Sequence, residues 1–170
     1  MEELRMPWND RDGLLYGGVI ACITAYLMVL FNTAKVNGLD AHTPLEALIC
    51  LPAVWVVVML LMSFLVGKVA NNLLERYLQP SDSVNARIVA NIVVCVTMMS
   101  AIMSALGPVI GTAVSGHLSF SEVYNWPRNW PVNFFVAFWI EMLLAQPAAR
   151  AVMKRRHIRA LKARGQGAEA

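Results

Sequence analysis

The residue best placed to do chemistry is Glu141, a lone carboxylate inside the apolar stretch NFFVAFWIEMLLAQP, which runs from Asn133 to Pro147. A carboxyl group in such surroundings can bind and release a proton, as proton-coupled transport requires. It can also stay protonated and hydrogen-bond to a neighbouring helix. Which of these two roles Glu141 has depends on whether water or lipid surrounds this stretch. The surroundings depend in turn on the helices that position it.

The composition indicates a membrane protein. Of 170 residues, 58% are hydrophobic and 15% are charged, whereas soluble domains carry roughly 25% charged residues. Four apolar stretches, approximately 14–34, 47–67, 88–114 and 132–152, are long enough to cross a hydrocarbon core of about 30 Å. The sequence therefore predicts an all-α polytopic membrane protein, with four transmembrane helices in one membrane domain over 1–170.

The distribution of positive charge predicts the orientation. All but two of the 14 Lys and Arg residues lie before the first apolar stretch, around the second connection or from Arg150 onward, and the exceptions are Lys35 and Arg128. Because Lys and Arg are retained on the cytoplasmic side, both termini are expected there. The N-terminus, MEELRMPWNDRDG, does not look like a cleaved signal peptide, so the first helix is expected to remain.

The basic tail, 154–170, follows directly on the last helix. Anionic head groups of the bilayer are its expected partner. The sequence offers no motif for nucleic-acid binding.

Glu141 should lie about 14 Å into the fourth helix, near the bilayer midplane. An ionised carboxylate there costs about 3 kcal/mol on insertion scales, so the protonated acid with a hydrogen-bond partner is the cheaper state. Thr24, Thr97 and Ser100 are expected at a similar depth. With Glu141 they form the candidate proton-binding or interhelical hydrogen-bond cluster.

The neighbours of Glu141 predict which way it faces. Small or polar residues recur at a spacing of four, which is one side of a helix: Asn133, Ala137, Glu141, Ala145 and Ala149. Small residues let helix backbones approach closely. Glu141 is therefore expected at a helix interface and not against lipid.

The third helix contains Gly107, Pro108 and Gly111 in the stretch GPVIG. Proline removes a backbone hydrogen bond, which predicts a kink, and the glycines predict close packing. A hinge or a break that lines a substrate path is the alternative.

Enzymatic chemistry finds no support. Cys22, Cys50 and Cys95 have neither disulfide nor metal-site spacing, and the three histidines, His42, His117 and His157, show no metal-ligand spacing. No nucleophile with its base and no phosphate-binding glycine loop is present. The chain is expected not to be an enzyme and to use no cofactor or metal.

The first half of the chain aligns with the second half. VIACITAYLM from Val19 aligns with IVVCVTMMSA from Ile92, and the stretch from Leu51 then lies over that from Trp130. This predicts two-helix units over 13–78 and 85–153 with the same orientation. Met62 is then the counterpart of Glu141, although a chance match between apolar helices is the alternative.

The second unit, which ends in NWPVNFFVAFWIEMLLAQPAARAVM, resembles a bacterial inner-membrane family of two-helix units, catalogued as domain of unknown function twenty-seven ninety-eight. The resemblance is clearest from about Asn85 to Met153 and fainter from Gly13 to Leu74. It implies a tandem-repeat protein of the bacterial inner membrane. It supplies no activity and no catalytic residue.

Two functions remain. The first is a non-catalytic assembly or structural component of the membrane, in which Glu141 holds helices together. The alternative is a small proton-coupled transporter that uses Glu141, as a homodimer that brings two such residues into one assembly. The sequence indicates no particular substrate, ion or partner protein.

Overall fold

The computed structural model describes residues 6–79, 82–116, 119–163 and 165, and no strand occurs within those ranges. The helices are α1 (Asp10–Asn37), α2 (Thr43–Leu61), α3 (Gly67–Tyr77), α4 (Val84–Val114), α5 (Trp126–Ile140) and α6 (Gln146–Ala163). Two π-helical turns, Met62–Val66 and Glu141–Ala145, join α2 to α3 and α5 to α6, and a 3-10 turn, Ser121–Asn125, precedes α5. Arg5, His117 and Arg164, which the charge and metal-site predictions used, lie outside the described residues, as does most of 164–170.

Four helical stretches are long and apolar enough to cross a membrane: Asp10–Val36, Thr43–Tyr77, Asn85–Val114 and Val123–Lys162. We call them the first to fourth spans. The prediction of an all-α protein with four membrane-length helices is confirmed. The second and fourth spans are longer than predicted, because their helices continue beyond the apolar stretch. Much of the basic tail is therefore the last part of α6.

The spans pack as a ring. The first lies against the second and the fourth, and the third lies against the same two. Buried side chains between them are mostly small, and they include Ala21, Ala25, Ala137, Ala145 and Ala149. Small residues allow close approach of helix backbones. Large apolar side chains such as Phe64 and Phe135 are exposed on the outside, where hydrocarbon would contact them.

The predicted face of the fourth span is largely buried. Asn133, Ala137, Ala145 and Ala149 are all at most 6% exposed, while Glu141 is half-buried. In an α-helix each step of four residues overshoots a full turn by about 40°. The π turn Glu141–Ala145 adds one residue to a turn, which offsets part of this drift. Residues before and after it therefore stay buried on the same side.

The third span is one continuous helix, with Pro108 inside α4. Among the described residues, a Cβ added to Gly107 or Gly111 would meet no neighbouring atom within 4 Å. The described contacts therefore include no close approach of another helix at these glycines, and their predicted packing role and the kink or hinge at Pro108 stay predictions.

The connection between the first two spans is held by Asp40. Its carboxylate accepts hydrogen bonds from the backbone N–H groups of His42, at 2.8 Å, and Thr43, at 2.9 Å. The Thr43 hydroxyl adds a third bond at 3.1 Å. These donors, that of His42 first, hold the pKa of Asp40 below its usual 3.8. Because unpaired N–H groups at a helix start need acceptors, Asp40 fixes where α2 begins.

Candidate functional site

Glu141 begins the π turn between α5 and α6. The backbone N–H of Gln146 donates to the Glu141 carbonyl, which is the five-residue bond of a π-helix. The Gln146 side chain also interacts with the Glu141 carboxyl. Since π turns inside α-helices occur frequently at functional sites, this turn marks Glu141 and Gln146 as the centre of the candidate site.

Two further residues complete the site. The Tyr16 hydroxyl of α1 donates a hydrogen bond to Oε1 of Gln146, and Gln146 is only 6% exposed. Tyr16 also interacts with the Arg150 side chain, one helical turn beyond Gln146. We call Tyr16, Glu141, Gln146 and Arg150 the polar cluster. It joins the first span to the fourth within the apolar bundle.

The hydroxyl groups predicted to meet Glu141 have other surroundings. Thr97 donates to the Val93 carbonyl at 2.6 Å, and Ser100 donates to the Thr97 carbonyl at 3.2 Å. The Thr24 hydroxyl is buried and has no hydrogen-bond partner among the described residues. A bond from any of the three to Glu141 stays a prediction, and the described contacts place Gln146 beside that carboxyl instead.

A cleft of about 490 Å³ lies between α4 and α6. It is lined by Asn85, Ile88, Val89, Ile92, Met142, Gln146, Pro147, Arg150, Ala151 and Lys154. Gln146 and Arg150 belong to both the cleft and the polar cluster. The cleft thus runs from the end of the bundle where α4 begins to the residues around Glu141.

Other polar contacts join the third and fourth spans at their opposite half. The Asn133 amide donates to the Ser104 hydroxyl at 2.9 Å, and both residues are buried. The Trp130 indole donates to the Ser100 hydroxyl at 3.1 Å. Buried polar groups are costly unless paired, so these bonds fix the register of α5 against α4.

A second cluster closes the end of the bundle where α1 begins and α6 ends. Asp12 pairs with His157 at 3.1 Å and with Arg156 at 3.2 Å. The Trp8 ring stacks on His157, with centroids 3.8 Å apart and planes within 4°. We call Trp8, Asp12, Arg156 and His157 the end clamp. The sequence placed His157 in a tail, but the structure buries it against α1.

Sequence reasoning missed the roles of Tyr16, Arg150 and the end clamp. Gln146 lies five residues after Glu141, a spacing that puts two side chains on different faces of a regular α-helix. Tyr16 and Asp12 come from α1, at sequence separations of 130 and 145 from their partners. No pattern in a single sequence reports such pairs.

Residues 85–156 match the model of a family described as Domain of unknown function (DUF2798). This confirms the resemblance seen from Asn85 to Met153. The matched segment includes α4, α5 and most of α6, and so contains Glu141, Gln146 and Arg150 but not Tyr16. No curated protein and no solved structure matches the chain significantly.

Proposed function

We propose that this chain is a non-catalytic structural or assembly component of a membrane, in which Glu141 takes part in the contacts that hold the spans together. The observation that carries the proposal is the hydrogen bond from Tyr16 to Gln146, beside the Glu141 carboxyl. It links the first span to the fourth at the π turn. The polar cluster is therefore engaged in contacts within the bundle.

The energetics of helix association in a membrane favour a structural role for these polar contacts. Apolar side chains gain little by leaving lipid for a helix interface, so small residues and polar contacts specify how spans associate. Interhelical hydrogen bonds contribute on average about 0.6 kcal/mol each in a membrane protein. Tyr16 to Gln146, Asn133 to Ser104 and Trp130 to Ser100 are three such bonds. Together they favour one arrangement of the ring over others.

We further propose that the chain is a tandem repeat of two-helix units, and four structural correspondences between the units support this. The alignment of Leu51 with Trp130 sets the π turn Met62–Val66 directly over Glu141–Ala145. It also pairs Pro52 with Pro131, each inside a helix. Two pairs of fully buried residues correspond as well: Val66 with Ala145, and Ala70 with Ala149.

In this repeat Met62 occupies the place of Glu141. The first unit then keeps the π turn without the carboxyl, so the turn itself serves packing in both units. At this position the carboxyl belongs to the second unit, the segment that matches the family. Tyr16 is the contribution of the first unit to the polar cluster.

We also propose a bacterial inner-membrane location with both termini in the cytoplasm. The end of the bundle where α1 begins and α6 ends holds Arg11, Arg155, Arg156, Arg159 and Lys162. Lys and Arg are retained on the cytoplasmic side during insertion. A homodimer is the proposed assembly, since it would bring two Glu141 side chains together.

Proton-coupled transport by Glu141 is the second candidate, and the cleft is the observation that favours it. The cleft is lined by Met142 and Gln146, the residue after Glu141 and the residue that contacts its carboxyl. A proton or a small solute that entered from the end of α4 would reach the polar cluster along this route. Transport would also need a route from the cluster to the opposite side.

Two substitutions test the structural proposal. Glu141→Gln keeps hydrogen-bonding capacity, whereas Glu141→Leu removes it and leaves Gln146 with one partner fewer. We expect the Gln variant to melt within about 2 °C of the wild type and the Leu variant to melt several degrees lower. If both variants melt like the wild type, Glu141 does not stabilise the bundle and the structural role is wrong.

A further inference from the structure

We propose that the cleft between α4 and α6 binds an anionic phospholipid. Its phosphate lies between Arg150, Lys154 and the first turn of α4, and an acyl chain lies along the apolar wall. This site does not depend on whether Glu141 carries protons or holds helices together.

Two cations on α6 face the cleft. Arg150 and Lys154 are four residues apart, so they lie on one side of the helix, and both line the cleft. The Nε atom of Arg150 is buried and has no hydrogen-bond partner among the described residues. A buried guanidinium N–H without an acceptor is costly. A phosphate oxygen would supply the acceptor, since guanidinium and phosphate form strong charge-assisted bonds.

The opposite wall adds a helix N-terminus. Asn85 lines the cleft and lies in the first turn of α4, which contains no acidic residue. Ser83 caps one N–H group, that of Ala86, and the N-terminal end of a helix carries a partial positive charge that favours anions. None of the described lining residues is acidic. Cations and dipole therefore act together on a negative group.

The remaining lining residues favour a lipid over a free ion. Ile88, Val89, Ile92 and Met142 form an apolar wall deeper in the bundle than Asn85. Asn85 is where the third span begins, so in a bilayer the head groups would lie near it. A molecule with a phosphate and an acyl chain contacts both parts of the cleft, whereas inorganic phosphate contacts only one.

A nearby surface provides a matched control. A second groove is lined by Leu15, Val152, Arg155, Arg156 and Arg159, on another side of α6. Arg156 in that groove is already paired with Asp12. Replacing Arg155 and Arg159 removes the same charge from the same helix without touching the cleft.

The test is lipid binding to the purified full chain, measured by native mass spectrometry with dioleoyl phosphatidylglycerol and with dioleoyl phosphatidylcholine. We expect phosphatidylglycerol to bind more tightly. The double variant Arg150→Gln, Lys154→Gln should weaken this binding by roughly 30-fold, about fivefold per cation. The double variant Arg155→Gln, Arg159→Gln should change it less than threefold. Lys154→Gln alone, away from the polar cluster, should still give about a fivefold loss.

Three results would overturn the proposal. One is equal loss in the two double variants, which would assign binding to the overall charge of the helix. Another is equal affinity for the two lipids. The third is displacement of phosphatidylglycerol by millimolar inorganic phosphate, which would make the ligand a free anion. Helix content measured by circular dichroism distinguishes loss of the site from loss of the fold.

Discussion

The hydroxyl of Tyr16 in α1 donates to the side-chain carbonyl of Gln146 in α6, directly beside the carboxyl of Glu141. Gln146 therefore connects the first span, through Tyr16, to the Glu141 carboxyl in the fourth span. The contact lies where the π turn ends and α6 begins. A change in the packing of the first span should thus alter the contacts of the Glu141 side chain.

Tyr16→Phe should destabilise the bundle by about 0.5–1.5 kcal/mol, because it removes the donor to Gln146 but keeps the ring. Thermal unfolding in detergent measures the change. Tyr26→Phe is the control, since the structure describes no hydrogen bond of the Tyr26 hydroxyl. An equal effect of the two substitutions would show that the Tyr16 bond adds nothing specific.

Gly67→Ala should destabilise the chain by about 1–3 kcal/mol, the usual cost of overpacking. A Cβ at this position would lie 2.5 Å from the backbone carbonyl oxygen of Met62, across the first π turn. Gly107→Ala is the control, because a Cβ there meets no neighbouring atom of the described residues within 4 Å and alanine favours a helix. A Gly67→Ala protein as stable as the wild type would contradict the described geometry of the turn.

The hydrogen bonds of the Asp40 carboxylate predict that the stability of the folded chain depends on pH. Its pKa is lower in the folded chain than its usual 3.8, owing to the donors of His42 and Thr43. The stability that this carboxylate contributes is complete above about pH 4 and is lost as the pH falls through the folded pKa. The difference in melting temperature between wild type and Asp40→Asn should therefore shrink from pH 6 toward pH 2.

Glu75→Gln, on the exposed surface of α3, serves as the control for this titration. It should lower the melting temperature little at either pH. A constant difference between wild type and Asp40→Asn from pH 6 to pH 2 would mean that the charge of Asp40 does not stabilise the start of α2.

The end clamp should limit motion of the last part of α6. Asp12→Asn weakens the pairs with both Arg156 and His157, so hydrogen exchange over residues 154–163 should become faster. Arg155→Gln, at an exposed position beside the clamp, should leave exchange unchanged. Unchanged exchange in Asp12→Asn would show that stacking of Trp8 on His157 is enough to hold the two helix ends.

The membrane class and the four spans followed from composition and from the length of the apolar stretches. The buried face of the fourth span followed from the four-residue spacing of Asn133, Ala137, Ala145 and Ala149. The partners of Glu141 could not be predicted from the sequence, because the depth of a residue in a helix does not say in which direction its side chain points. Thr24, Thr97 and Ser100 were chosen by depth alone, whereas Gln146 is brought beside the carboxyl by a π turn that has no signature in the sequence.

Proton flux into proteoliposomes under an imposed membrane potential tests the central claim most directly. The comparison is between wild type, Glu141→Gln and protein-free vesicles, with folding checked by circular dichroism. If Glu141 is a structural residue, both proteins give the flux of protein-free vesicles, and the Gln variant is as stable as the wild type. Flux in the wild type that disappears in the folded Gln variant would contradict a structural role and place Glu141 on a proton path.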